Sequence, residues 1–193
     1  MNTFIPDRDF AFTILKEYTR NESLIRHSLT IEAVMRYFAE LFCEKEVEKW
    51  GIIGLLHDID YERYPDKHCL MVREILSPYG FPEEYLRAIE SHGYKLINDI
   101  EPVEKMEKVL YATDELTGLI AATVVLRPGK SIMDLNVSSI IKKWKQKSFA
   151  SGVNRDVITE GAEMLGMELD VLIEHTIKAM QTVAEEIGLK GEF

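Results

Sequence analysis

An apolar segment that ends in a histidine and an aspartate constrains the fold of this 193-residue chain more than any other feature. The segment reads WGIIGLLHD over residues 50–58. Trp50, Ile53 and His57 have the i, i+3 and i+7 spacing of one helix face, which places His57 on the buried side. A buried imidazole beside the carboxylate of Asp58 costs free energy unless both are satisfied, and a divalent metal ion satisfies both. The segment therefore predicts a buried helix that ends at a metal site.

Helical spacing of apolar residues continues along the chain, and no hairpin signal interrupts it. Capping residues support the breaks between helices, with Asn21 at a helix start and Gly166 and Gly188 at helix ends. The pattern predicts an all-α fold. Its expected helices lie at about residues 7–19, 22–42, 45–57, 67–77, 82–92, 103–125, 133–147, 154–166 and 168–188, with ends placed to within a few residues.

The amino-acid composition limits the classes of binding partner and the cellular compartment that we expect for this chain. The chain is 46% hydrophobic and 29% charged, which is ordinary for a globular protein. It has no apolar run that would span a bilayer, and neither a signal peptide nor a membrane partner is expected. Cys43 and Cys69 form no spacing motif, and a reduced cytoplasmic setting is the simplest interpretation. A formal net charge of −10 argues against a nucleic-acid polymer as partner.

One stretch departs from the acidic average. Between Leu135 and Arg155 the chain has no acid and five cations, namely Lys142, Lys143, Lys145, Lys147 and Arg155. A solvated helix face is the favoured interpretation for a run this short. The alternative is an electropositive lip that attracts an anionic substrate.

Three segments carry a resemblance to a known family. They are Arg26-His27-Ser28-Leu29, the stretch from Gly54 to Asp60, and the stretch from Ala112 to Gly118. This His, His-Asp, Asp order resembles the HD superfamily of metal-dependent phosphohydrolases over roughly residues 20–125. The resemblance implies an HD-type multi-helix core. We expect a metal-binding domain over residues 1–130 and accessory C-terminal helices over residues 131–193 that pack on it.

The resemblance implies that His27, His57, Asp58 and Asp114 are metal ligands. His27 and Asp114 also share helix faces with apolar residues, so both are expected to point inward. A structural Asp114 paired with Arg26 is the competing interpretation. Such a nitrogen and oxygen ligand set suits Mn²⁺, Fe²⁺, Co²⁺, Ni²⁺ or Zn²⁺ and tolerates Mg²⁺. A closed structural zinc site is disfavoured, because this set contains no cysteine.

His68 and His92 match the extra histidines of HD proteins that hold two metal ions. His68 is expected to open a helix after Pro65, and His92 to end one. With Asp58 as a bridge, they would hold a second ion about 4 Å from the first. Alternatively, they bind phosphate as cations or act as a general acid. His175 has no motif around it and is interpreted as structural.

The implied activity is hydrolysis of a phosphoester in a small metabolite or nucleotide by metal-activated water. Asp58, His92 and Lys95 are the expected catalytic residues, with Asp58 orienting the nucleophile. Lys95, Arg26, Arg63 and Lys67 are candidate phosphate-binding cations, although each alone is more often a surface charge. Two other hypotheses stay open: a mixed-valence di-iron oxygenase of HD fold, and a non-catalytic sensor that binds a metal and a nucleotide.

Two departures from family patterns separate this chain from better-defined branches. His92 is followed by Gly93-Tyr94-Lys95, so the Gly-Tyr-Pro signature of signalling phosphodiesterases is absent. Tyr61 stands where compact nucleotidases have a glutamate. The chain therefore resembles the small stand-alone HD proteins most closely.

Overall fold

The computed structural model describes residues 5–191, and this part of the chain is all-α, as predicted. It contains no β-strand, only a single bridge between Tyr94 and Asn98. No helix in the same range is both long and apolar enough to cross a membrane. The nine α-helices of the described residues are α1 (Arg8–Tyr18), α2 (Glu22–Leu41), α3 (Val47–Leu56), α4 (Val72–Leu76), α5 (Glu83–Ser91), α6 (Lys105–Val125), α7 (Val137–Trp144), α8 (Arg155–Leu165) and α9 (Leu169–Thr182).

Helices α2 and α3 form the centre of the fold, and α1, α5 and α6 pack around them. Glycine at position 54 allows α2 and α3 to approach closely, since a Cβ there would lie 2.8 Å from the backbone oxygen of Ile31. Phe38 and Ile53 are fully buried between the packed helices. The close approach brings the C-terminal end of α3 next to the first turns of α2.

The C-terminal helices share the core of the rest of the chain. Ile140, Ile158 and Leu172 belong to the same continuous apolar cluster as the side chains of α2 and α3. Helix α8 lies directly against α6, where a Cβ on Gly161 would be 2.5 Å from the Cα of Ala112. Residues 131–191 thus pack on the preceding helices, while the division of the chain at residue 130 stays a prediction.

The helix predicted for residues 67–77 is wrong in its first half. Pro65–Lys67 form a short 3-10 turn, and His68 follows this turn instead of opening a helix. Cys69 has a left-handed backbone with a φ of 62°, which interrupts helical geometry. The carboxylate of Asp60 then accepts a hydrogen bond from the N–H of Met71 at 3.1 Å, and α4 begins at Val72.

Two C-terminal helices are shorter than predicted. Helix α7 begins at Val137, because the side chain of Asn136 caps its first turn. Helix α9 ends at Thr182 instead of near residue 188, and the chain continues in turns to Gly188, which has a φ of 73°. Gly166 ends α8 in the left-handed conformation that the sequence predicts.

Candidate metal centre

Helix ends position most of the histidines that the sequence singles out. His57 directly follows the last residue of α3, so His57 and Asp58 are not held to the angular spacing of a regular helix. His92 follows the last residue of α5 in the same way. The helix-borne ligand candidates are His27 near the start of α2 and Asp114 in the middle of α6. Together with His68, these residues meet in one place.

The first group of donor atoms comes from α2, α3 and α6. Nε2 of His27 lies 3.1 Å from Nε2 of His57 and 3.0 Å from Oδ1 of Asp114. Nε2 of His57 lies 3.4 Å from Oδ2 of Asp58 and 3.5 Å from the same Asp114 oxygen. Two imidazole nitrogens and two carboxylate oxygens therefore face a common point. Asp114 does not pair with Arg26, whose guanidinium contacts Glu22.

The second group comes from the turn before α4 and the end of α5. Nε2 of His68 lies 3.2 Å from Nε2 of His92. Oδ1 of Asp58 lies 3.4 Å from Nε2 of His68 and 3.7 Å from Nε2 of His92. Asp58 thus directs one carboxylate oxygen to each group.

These spacings fit the coordination of divalent cations. An ion about 2.1 Å from its ligands holds neighbouring ligands about 3.0–3.4 Å apart in octahedral to tetrahedral geometry. The separations in both groups lie in or slightly above this range. Asp58 and His68 are each 14% exposed and His27 is 28% exposed, so the centre is accessible from one side. The six residues therefore fit two cations bridged by Asp58.

Hydrogen bonds at the opposite nitrogen fix three of the imidazoles. Nδ1 of His57 donates to the carbonyl oxygen of Gly54 at 2.8 Å, and Nδ1 of His92 donates to the carbonyl oxygen of Ile89. Nδ1 of His68 donates to Oδ1 of Asp60 at 2.9 Å. Because Nδ1 is the donor in each ring, Nε2 is the nitrogen left to bind a cation.

The electrostatics of the cluster favour positive charge between the carboxylates. Burial opposes ionisation of Asp58 and Asp114, but the histidines around them outweigh it and hold both pKa values well below the ordinary range. Burial also opposes the charged imidazole of His68, yet hydrogen bonds to Asp60 and Cys69 raise its pKa to about 9. A divalent cation would take the place of the protons that these imidazoles otherwise hold.

Two residues of the site were missed by the sequence analysis. Asp60 is fully buried and binds His68 and the backbone of Met71. Cys69 is 1% exposed, and its Sγ lies 3.4 Å from Nε2 of His92. The signal for each was adjacency, because Asp60 follows the His57-Asp58 pair by two residues and Cys69 follows His68 directly.

A cavity of about 410 Å³ opens over the cluster. Asp58, His68, His92 and Asp114 form its polar floor. The walls are largely apolar and aromatic and include residues of α8 and of the segment after α5. They are Leu24, Tyr61, Gly93, Leu96, Ile97, Tyr111, Gly118 and Val157, together with the carboxylate of Glu115. The volume suits a small molecule.

The candidate phosphate-binding cations do not line this cavity. Lys95 forms an ion pair with Glu160 of α8. Arg63 donates to the carbonyl oxygen of Glu17 and lies over the ring of Tyr18. Arg26 lines a neighbouring cavity, and Lys67 is exposed on the 3-10 turn.

The five cations of the basic stretch before α8 do not line the cavity either. Arg155 donates to the carbonyl oxygens of Trp144 at 3.1 Å and Phe149 at 2.7 Å. Its guanidinium therefore holds the loop between α7 and α8. Nδ1 of His175 is hydrogen-bonded to the hydroxyl of Tyr37 at 3.0 Å, outside the centre.

We expect the Asp60→Asn variant to weaken the second cation site alone. An amide cannot reproduce both the acceptor for His68 Nδ1 and the acceptor for the Met71 N–H with carboxylate strength. Outer-shell partners of this kind are worth about 10–100-fold in metal affinity. Metal titration should show that loss for one ion, with the other unchanged. Equal weakening of both ions would contradict this assignment of Asp60.

The family model of the HD domain matches the chain over residues 24–119. The matched range contains all six residues of the cluster and ends within α6. No curated protein and no solved structure matches the chain significantly.

Proposed function

The chain belongs to the HD superfamily, and from this premise we propose that it is a metal-dependent phosphohydrolase with two divalent cations per chain. The observation that carries the proposal is the position of Asp58 between two sets of imidazoles. A carboxylate that presents one oxygen to each set is suited to bridging two ions, the arrangement used in two-metal hydrolysis. HD domains are typical of such hydrolases.

The six residues of the cluster would form two cation positions. His27, His57, Asp58 and Asp114 would hold one cation, and His68, His92 and Asp58 the other. When bound, such ions polarise a phosphoryl oxygen and lower the pKa of water toward neutrality. Asp58, reaching both positions, would orient the attacking water, and Glu115 offers a further carboxylate in the cavity lining.

The cavity lining supports a small substrate with an apolar or aromatic part. Leu96 and Ile97 are 50% and 40% exposed at the cavity wall, and Tyr61 is 44% exposed. These side chains offer contact area for the leaving group, since apolar and aromatic walls dominate ligand sites. No lysine or arginine lines the described cavity. The two proposed cations at the floor of the cavity would then neutralise the negative charge on the phosphoryl oxygens.

The same lining also favours a second candidate, a di-iron oxygenase. A carboxylate-bridged, histidine-rich pair of positions without a neighbouring lysine or arginine suits iron as well as a hydrolytic metal. Substrate turnover that requires oxygen and iron, and that is absent with Mn²⁺, would distinguish this function from hydrolysis.

A metal-dependent substrate panel tests the proposal. The full chain is stripped with a chelator and reloaded separately with Mn²⁺, Fe²⁺, Co²⁺, Ni²⁺, Zn²⁺ or Mg²⁺. It is then incubated with p-nitrophenyl phosphate, sugar phosphates and nucleotides. We expect phosphate release that depends on the added ion, and binding of two ions by elemental analysis. Two bound ions without phosphate release from any substrate would show that the proposed function is wrong.

A further inference from the structure

Cys69 lies inside the second cluster although the resemblance does not assign it a role. Its Sγ is 3.4 Å from Nε2 of His92, and the donor atoms of Cys69, His68 and His92 all lie within 4.8 Å of one another. Oδ1 of Asp58 faces the same space at 3.4 Å from Nε2 of His68. Two nitrogens and one sulfur therefore lie together, and the Asp58 oxygen is close to the two nitrogens.

The backbone holds this sulfur in place against local preference. Cys69 has a φ of 62°, a left-handed conformation that residues with a Cβ rarely adopt and glycine accepts readily. The bond from the Met71 N–H to Asp60 fixes the chain just after Cys69. Gly93 leaves room for the thiol on the other side, because a Cβ at position 93 would lie 2.9 Å from Sγ. Both flanking contacts keep the sulfur beside the imidazoles.

The hydrogen bonds at Nδ1 of His68 and His92 determine which ring nitrogens could bind a cation together with Sγ of Cys69. Nδ1 of His68 and Nδ1 of His92 are occupied by Asp60 and by the carbonyl oxygen of Ile89. The His92 nitrogen nearer to Sγ is Nε2, at 3.4 Å against 3.9 Å for Nδ1, and Nε2 is the nitrogen that would bind a cation. A thiolate beside two imidazoles gives a three-donor set of the kind found in metal sites with sulfur ligands.

We propose that Cys69 is a thiolate ligand of the second cation, so that the two positions of the centre differ in metal preference. The first position has nitrogen and oxygen donors only. The second adds a soft sulfur donor, which favours Zn²⁺, Fe²⁺ or Co²⁺ over Mg²⁺ and Mn²⁺. This inference rests on the two-cation centre of the proposed function, but it does not depend on phosphate hydrolysis.

Cobalt absorption tests the proposal without an activity assay. The full chain is stripped with a chelator and titrated with Co²⁺ to saturation. We expect a near-ultraviolet thiolate-to-cobalt charge-transfer band in the wild-type protein and its loss in Cys69→Ser. We also expect the Zn²⁺ affinity of one site to fall by at least about 10–100-fold in Cys69→Ser, which is the scale for outer-shell partners. The Mn²⁺ affinity should change much less.

Cys43 provides a matched control. It is exposed and, like Cys69, has a left-handed backbone, with a φ of 56°. In the described part of the chain it belongs to neither group of possible metal ligands. Cys43→Ser should therefore keep the band. Cys69→Gly removes the sulfur while suiting the left-handed backbone, so it should fold and lack the band.

Each outcome has one meaning. Absence of the band in the wild-type protein at saturating Co²⁺, or its persistence in Cys69→Ser or Cys69→Gly, overturns the thiolate ligand. If the thiolate ligand is overturned in this way, metal-dependent phosphate release would still support the proposed function. A band that depends on Cys69, together with no phosphate release from any substrate, supports the ligand and counts against the hydrolase alone.

Discussion

Replacing Asp58 by asparagine should remove the centre's ability to hold two cations and lower turnover sharply. Its two carboxylate oxygens face different imidazole sets, at 3.4 Å from Nε2 of His57 and 3.4 Å from Nε2 of His68. An amide offers one oxygen and one NH₂ group, and the NH₂ group is a donor that cannot bind a cation. We expect elemental analysis to give at most one ion per chain. Phosphate release should fall by at least about 10²–10³-fold, the cost of one transition-state electrostatic contact.

Variants that remove ligands from one set alone show whether Asp58 is the bridge. Asp114→Asn should lose mainly the first ion, because a neutral amide is a weaker ligand than a carboxylate. His92→Ala should lose mainly the second and keep about one ion per chain. Asp66→Asn alters an exposed aspartate on the 3-10 turn and should keep both. If Asp58→Asn retains two ions and full turnover, the bridge lies elsewhere.

Helical periodicity predicted that residues of the first half of the centre point inward, and the family resemblance implied that they meet. His27, His57 and Asp114 lie on inward faces or at a helix end, and each of these positions follows from apolar spacing along a single element. The structure brings these three residues together as the resemblance implies. Long helices with strong periodicity carry most of the information in their own sequence.

The second half depends on contacts between distant segments. Helical spacing predicts that residues 67–77 continue as one helix, but Asp60 binds the N–H of Met71 and holds the chain in a turn. That turn places Cys69 beside His92, which is 23 residues away in sequence. No local pattern shows such a contact, and the left-handed conformation of Cys69 is unusual for a residue that is not glycine.

Lys95 is another residue whose contacts depend on a segment that is distant in the sequence. Its closeness to His92 in sequence favours a catalytic role, which stays a prediction. In the structure its backbone is left-handed, with a φ of 61°, and its ammonium pairs with Glu160 of α8. The partner is 65 residues away, so only the packing of α8 on α6 reveals it. The hydroxyl of Tyr111 also donates to Glu160 at 3.3 Å.

The close approach of α2 and α3 sets both stability and the geometry of the first cation position. A Cβ on Gly54 would lie 2.8 Å from the backbone oxygen of Ile31 and 2.8 Å from Cγ of Met35. Ile31 is one turn beyond His27 on α2, and the carbonyl oxygen of Gly54 accepts the hydrogen bond that orients His57. Added volume at position 54 must therefore move the two helices that carry these ligands.

We expect Gly54→Ala to lower the free energy of unfolding by about 1–3 kcal/mol, the usual cost of overpacking a core, because the clash is with backbone that cannot rotate away. It should also weaken binding at the first cation position by separating His27 from His57. Denaturant unfolding and metal titration measure the two effects. Gly118→Ala is the matched control, since it is also a helical glycine and its Cβ would meet only Val153 at 3.7 Å. There the alanine should stabilise the helix by up to about 1 kcal/mol. Equal stability changes in the two variants would show that α2 and α3 do not depend on glycine at position 54.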